Sequence, residues 1–124
     1  MSTQNFLQEL AQRVYEVNVA NGWFEGDRRF GEDIALLHSE VSEMLEAYRQ
    51  WGIEDATPDV NQTLTMNPPI KVLPKPEGVG SEAADVLVRL LDTCLRYDID
   101  LLAEFERKLT YNASRGFRHG GKRL

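Results

Sequence analysis

The sequence predicts an all-α fold, a four-helix bundle with a long proline-rich loop between the second and third helices. Two observations carry this. Four stretches repeat apolar residues at helical spacing. All five prolines fall between Pro58 and Pro76, so the residues that break helices are confined to one stretch. A length of 124 residues suits one domain spanning 1–124.

The first helix is expected over residues 2–20. Ser2 or Thr3 can cap it, and Phe6, Leu7, Leu10, Val14 and Val17 form its apolar stripe. Asn21-Gly22 ends it. Trp23 and Phe24 follow in a loop, where they either plug the bundle end or offer a stacking surface for a base. The second helix runs from about Glu32 to Trp51. Ile34, Leu37, Val41, Leu45 and Tyr48 share its apolar stripe, Glu40 lies at the edge of the stripe, and Glu43 about 60 degrees further out. His38 falls well away from both and reads as a packing or interface residue. Gly52 stops the helix.

Residues 52–80 read as irregular. Within them Thr63–Met66 and Ile70–Leu73 flank Asn67-Pro68-Pro69 and predict a short hairpin. A loop this long in a compact domain serves as a functional lid or stays partly disordered. Lys71 and Lys75 lie within it, within reach of a phosphate or simply in solvent. Ser81 is a good N-cap for a third helix reaching about Tyr97. Apolar residues from Ala83 to Leu95 cover more than half of its circumference, which predicts burial on several sides, within a bundle or within an oligomer. Its polar strip holds Glu82, Asp85, Arg89, Asp92 and Arg96; Arg89 is placed to hold a carboxylate, and Asp92 with Arg96 to form an i,i+4 pair. Cys94 sits mid-stripe as core. Asp98 or Asp100 caps a fourth helix over about 101–114, with Leu101, Leu102, Phe105 and Leu109 facing inward. Lys108, Asn112 and Arg115 recur along one face of it. Gly116 ends that helix, and a basic tail covers 116–124. The tail contains Gly-x4-Gly-Lys, but Arg123 stands where a phosphate-binding loop needs Ser or Thr, and no helix follows.

The net charge of −6 conceals an asymmetry. No acid follows Glu106, and six basic residues do; residues 1–106 carry 20 acids against 8 basic residues. An acidic body argues against nucleic acid as a partner, and a basic tail beside it suits a small anionic ligand. No segment approaches 18 uncharged apolar residues, so none is expected to span a membrane. The single cysteine and the absence of a charged-then-apolar leader predict a reduced, cytoplasmic setting.

The chemistry concentrates in two segments. Glu40 and Glu43 stand three apart on the second helix, and Glu82 and Asp85 stand three apart at the start of the third. Residues at i and i+3 share a helix face, so each segment offers two carboxylates side by side. Like charges at this spacing cost a helix about 0.2–0.5 kcal/mol per pair, and clustered carboxylates raise one another's pKa. A divalent cation relieves both, and an all-oxygen donor set suits Mg²⁺ or Mn²⁺ rather than zinc.

With Lys108-x3-Asn112-x2-Arg115 in view, the chain resembles the MazG-like branch of the all-α nucleotide pyrophosphohydrolases. Glu40-x2-Glu43, Glu82-x2-Asp85 and the Lys-Asn-Arg helix carry the resemblance, together with Ala35–Glu43, Lys75–Gly78, Lys108–Arg115 and His119–Lys122. It covers about residues 30–124. The interval of 39 positions from Glu43 to Glu82 is longer than in compact members, and the proline-rich insert accounts for it. The resemblance implies a MazG-like bundle and a hydrolase that cleaves a ribo- or deoxyribonucleoside triphosphate between its α and β phosphates. It implies Mg²⁺ (Mn²⁺ as substitute) on Glu40, Glu43, Glu82 and Asp85, and Glu43 as base toward the attacking water. Lys108, Asn112 and Arg115 would take the polyphosphate, and the enzyme would act as a homodimer or homotetramer. Trp23, Phe24 and Trp51 are candidate base contacts. Within the family a dUTP- or phosphoribosyl-ATP-specific enzyme fits the same residues.

Two rivals differ in class. A di-iron carboxylate bundle needs Glu-x-x-His on two helices, and neither histidine is in register. A non-enzymatic helical interaction protein explains the apolar helices but not four carboxylates at their rims.

Overall fold

The computed structural model describes residues 3–54 and 75–123. Among them there are helices and turns and no strand. The main helices are α1 (Thr3–Ala20), α2 (Phe30–Trp51), α3 (Val79–Arg96) and α4 (Leu101–Ser114). A short turn, α5 (Arg118–Gly121), follows, with His119 and Gly120 in left-handed conformations. The predicted hairpin at 63–73 lies outside the described residues, as does most of the proline-rich stretch. No described helix is long and apolar enough to cross a membrane.

The chain divides into two compact units. One takes Met1–Glu25 with Cys94–Leu124, and the other is Gly26–Thr93.

In the second unit α2 and α3 are joined by charge as much as by apolar packing. Ala47 and Leu91 are buried, and so are Asp33, Glu82, Asp92 and Thr93. Arg28, just before α2, reaches both buried aspartates: its Nε lies 2.5 Å from Asp33 Oδ1 and its Nη2 3.3 Å from Asp92 Oδ2. Asp33 also sits in the first turn of α2, where the helix N-terminus favours negative charge. The helix ends as expected at Gly52, whose φ of 72° suits glycine and whose N–H donates to Tyr48 O at 2.8 Å.

Helix α3 begins two residues before the expected Ser81 cap. Glu82 N–H already donates to Gly78 O at 3.0 Å, and the Ser81 hydroxyl instead donates back to Pro76 O at 3.2 Å. The sharper departure concerns which side is covered. The polar strip supplies buried residues (Glu82 and Asp92), while Ala83, Ala84, Leu87, Val88 and Leu95 are exposed. The expectation of burial on several sides is not met by the described residues of one chain. Val41, Leu45 and Tyr48, expected inward on α2, are each about half exposed. The reason is one of supply: the described residues of this unit provide two long helices, and two helices bury only the facing strip of each.

In the first unit the Phe24 ring meets Tyr15 edge-on at 5.1 Å, and the Arg96 guanidinium lies 4.3 Å from its centre. Arg96 also donates to Trp23 O. Asp98 closes α3 with a φ of 53°, which Asp tolerates better than most residues. Asp100 caps α4, its carboxylate accepting from Ala103 N–H at 3.1 Å. Phe105 and Leu109, expected inward, are about half exposed.

Candidate functional site

The two acidic segments meet in the second unit. Helix α2 brings Glu40, and the first two turns of α3 bring Glu82 and Asp85. One ligand atom from each lies within 4.8 Å of the others. Glu82 is 7% exposed, and its Oε2 has no hydrogen-bond partner among the described residues. A buried carboxylate oxygen without a donor is costly, and a bound cation is the kind of partner that removes the cost. The donor set consists of carboxylate oxygens alone, which suits Mg²⁺ or Mn²⁺.

Glu43 is the fourth expected carboxylate, and it stands outside this group of three. It is exposed and sits beside Glu82. The cause is the angular offset on α2: Glu40 borders the covered strip and Glu43 lies one step further round. Glu43, Glu46, Ala47, Gln50 and Trp51 from α2, with Lys75, Glu77 and Glu82, line a cavity of about 250 Å³.

The Glu82 carboxyl is held above its ordinary pKa of 4.5. Burial is the first cause, followed by the charges of Asp85 and Glu43, and Lys75 opposes these. The fold therefore binds this proton more tightly than the unfolded chain does. In that case stability is gained as pH falls and lost as pH rises from the ordinary carboxylate range through the folded-state pKa. In EDTA, the urea midpoint of the native protein should rise as pH is lowered from about 7 to about 5. Glu82→Gln should raise the midpoint at neutral pH and flatten this dependence. An unchanged slope in the variant would show that Glu82 does not carry it.

Arg89, expected to hold a carboxylate, does so: its Nε donates to Glu40 Oε1 at 3.0 Å. Asp92 has Arg28 as a partner, which sequence spacing did not suggest because 64 positions separate the two. His38 is exposed on α2 and is not in the three-carboxylate group.

The expected phosphate-binding residues stand in the first unit, on and just after α4. Lys108 lines a shallow surface cavity with Glu104, Arg107 and Tyr111. Arg115 caps the helix, its guanidinium 5.5 Å from the centre of the Tyr111 ring, and Asn112 is exposed with its carbonyl accepting from Arg115 N–H at 3.2 Å. Of the three aromatic candidates, Phe24 is engaged by Tyr15 and Arg96, and Trp23 is 54% exposed. Trp51 alone lines the cavity that Glu43 and Glu82 share. Gln50 lines it too and was missed by the sequence reading. The signal existed, since Gln50 is seven positions after Glu43 and so lies two turns along the same face.

No protein-family model, curated protein or solved structure matches the chain.

Proposed function

We propose that the chain is a MazG-like nucleoside triphosphate pyrophosphohydrolase, acting on ribo- or deoxyribonucleotides with Mg²⁺ and releasing a nucleoside monophosphate and pyrophosphate. The observation that carries the reading is the convergence of Glu40, Glu82 and Asp85 from two helices onto one volume, with a buried Glu82 oxygen that has no donor among the described residues. The order of the motifs in the sequence supports the family and its bundle.

Glu40, Glu82 and Asp85 would hold the cation. When bound, it supplies Lewis acidity, neutralising phosphate oxygens and stabilising the pyrophosphate that leaves. Glu43, exposed and adjacent to Glu82, accepts a proton from the attacking water. Water oxygen then bonds to the α phosphorus, the bond from that phosphorus to the α,β-bridging oxygen breaks, and pyrophosphate leaves with the electron pair. Trp51 offers an aromatic face and Lys75 a cation at the cavity beside these carboxylates. The assignment of Lys108, Asn112 and Arg115 to the polyphosphate rests on the sequence resemblance alone.

Half-exposed Val41, Leu45 and Tyr48 on α2 and Phe6 and Val17 on α1 favour a homodimer or homotetramer, since large apolar side chains left in water are stabilised by a covering copy. The one cysteine, Cys94, is buried and free, in keeping with a cytoplasmic enzyme.

The test is a product assay with Mg²⁺ and a panel of nucleoside triphosphates. Monophosphate with pyrophosphate is the expected pair. Diphosphate with orthophosphate would place cleavage at the wrong bond and overturn the reading. Light scattering on the same preparation should give at least twice the chain mass of 14.1 kDa.

A further inference from the structure

Three carboxylates with ligand atoms within 4.8 Å of one another repel unless something of opposite charge stands among them. Among the described residues, α3 itself supplies a cation there. Arg89 is one helical turn after Asp85 on α3, and it crosses to α2 to donate from Nε to Glu40 Oε1. The pair is sheltered, with the Arg89 side chain 29% exposed and that of Glu40 12%. The hydroxyl of buried Thr93 donates to the backbone carbonyl of Arg89 at 2.9 Å, one turn along the same helix. A guanidinium offers a planar, directed donor fork that a lysine ammonium does not, so it can fix the orientation of the carboxylate it meets.

We propose that Arg89 is a positioning residue for Glu40 and a fixed counter-charge to the cation site. It pins Glu40 by one oxygen and leaves the second for a divalent cation shared with Glu82 and Asp85. Its own charge opposes that cation and keeps binding weak enough for exchange. The inference rests on the carboxylate reading of the site. It adds a residue that acts through Glu40 and itself touches neither water nor phosphate.

Loss of the charge and loss of the pin have opposite consequences, and this separates the role from simple support of the fold. Removing a positive charge a few ångströms from the site strengthens its attraction for a cation. Releasing Glu40 removes the fixed geometry that turnover needs. Arg89→Gln should therefore bind Mn²⁺ more tightly than the native chain, by roughly threefold or more, while turning over triphosphate about tenfold more slowly. Arg89→Lys keeps the charge but not the planar contact. It should bind Mn²⁺ as the native chain does, with turnover between the two. A residue that merely supports the fold would weaken binding and turnover together.

The experiment is a Mn²⁺ titration of the full chain and both variants, followed by the electron paramagnetic resonance of free Mn²⁺, with circular dichroism to verify folding. Tighter binding by Arg89→Gln and native-like binding by Arg89→Lys support the proposal. Equal or weaker binding by folded Arg89→Gln overturns it, and if that variant does not fold, tightened binding by Arg89→Lys overturns it instead. Failure of the native chain to bind Mn²⁺ would remove the carboxylate reading and Arg89's role with it. Native binding without turnover would sink the hydrolase reading alone, and the affinities would still decide the role of Arg89.

Discussion

Asp85→Asn and Glu43→Gln are expected to fold as the native chain does and to lose about 10²-fold or more in turnover, the scale on which one preorganised electrostatic group contributes to a transition state. The two changes act differently. Asp85 is one of three carboxylates converging on a single volume, so its amide removes a charge that would hold the cation. The Mg²⁺ concentration for half-maximal rate should rise in Asp85→Asn. Glu43 stands outside that group and beside Glu82, so its amide leaves the three carboxylates in place. In Glu43→Gln the Mg²⁺ requirement should stay close to native while the maximal rate falls, because in the proposed reaction what is lost is a proton acceptor. Both substitutions preserve shape, and Glu43 is solvent-exposed, so unfolding would be an unexpected route to inactivity. If both variants keep near-normal rates, the assignment of the site is wrong. If Glu43→Gln alone keeps its rate, another group takes the proton.

The helices were legible because their signals are local. Apolar spacing, the Asp100 cap, and glycines at the ends of α1, α2 and α4 depend on residues a few positions apart. The pairing of Glu40 with Glu82 and Asp85 was also legible, since each motif marks a helix face and two such faces have one obvious way to meet. What the sequence hid were contacts chosen by tertiary geometry. Asp92 was read as half of an i,i+4 pair with Arg96, yet it is buried against Arg28, just as Glu82 is buried in the carboxylate group. Hydrophobic periodicity ranks positions by residue type and takes no account of a charged residue whose partner lies 64 positions away. The same blindness misplaced Val41, Leu45 and Tyr48. Their spacing marks a stripe that calls for a cover, but spacing does not say whether the cover comes from the same chain.

Arg28 is the residue whose loss should cost the fold most. It joins the start of α2 to the middle of α3 by holding Asp33 and Asp92, each 3% exposed. Breaking a buried ion pair by removing one partner destabilises by about 3–5 kcal/mol, because the remaining charge stays out of water. Arg28→Met keeps much of the side chain's apolar length and removes only the cation, so its effect reads the charge rather than a cavity. Arg28→Lys keeps the charge but loses the planar fork that spans two carboxylates, and should fall between. The readout can be confined to the relevant unit. The chain has two tryptophans, and Trp51 belongs to the same unit as Arg28 while Trp23 belongs to the other. In a Trp23→Phe background, urea unfolding followed by Trp51 fluorescence reports on Gly26–Thr93 directly. A loss of about 3 kcal/mol or more is expected for Arg28→Met, and Asp92→Asn added to it should restore part of the loss by removing one buried negative charge. A loss below about 1 kcal/mol would place the contact among ordinary surface ion pairs. The hold of α3 on α2 would then fall to Leu91 and Ala47, and the fixed geometry of the Glu40, Glu82 and Asp85 group would rest on packing rather than on charge.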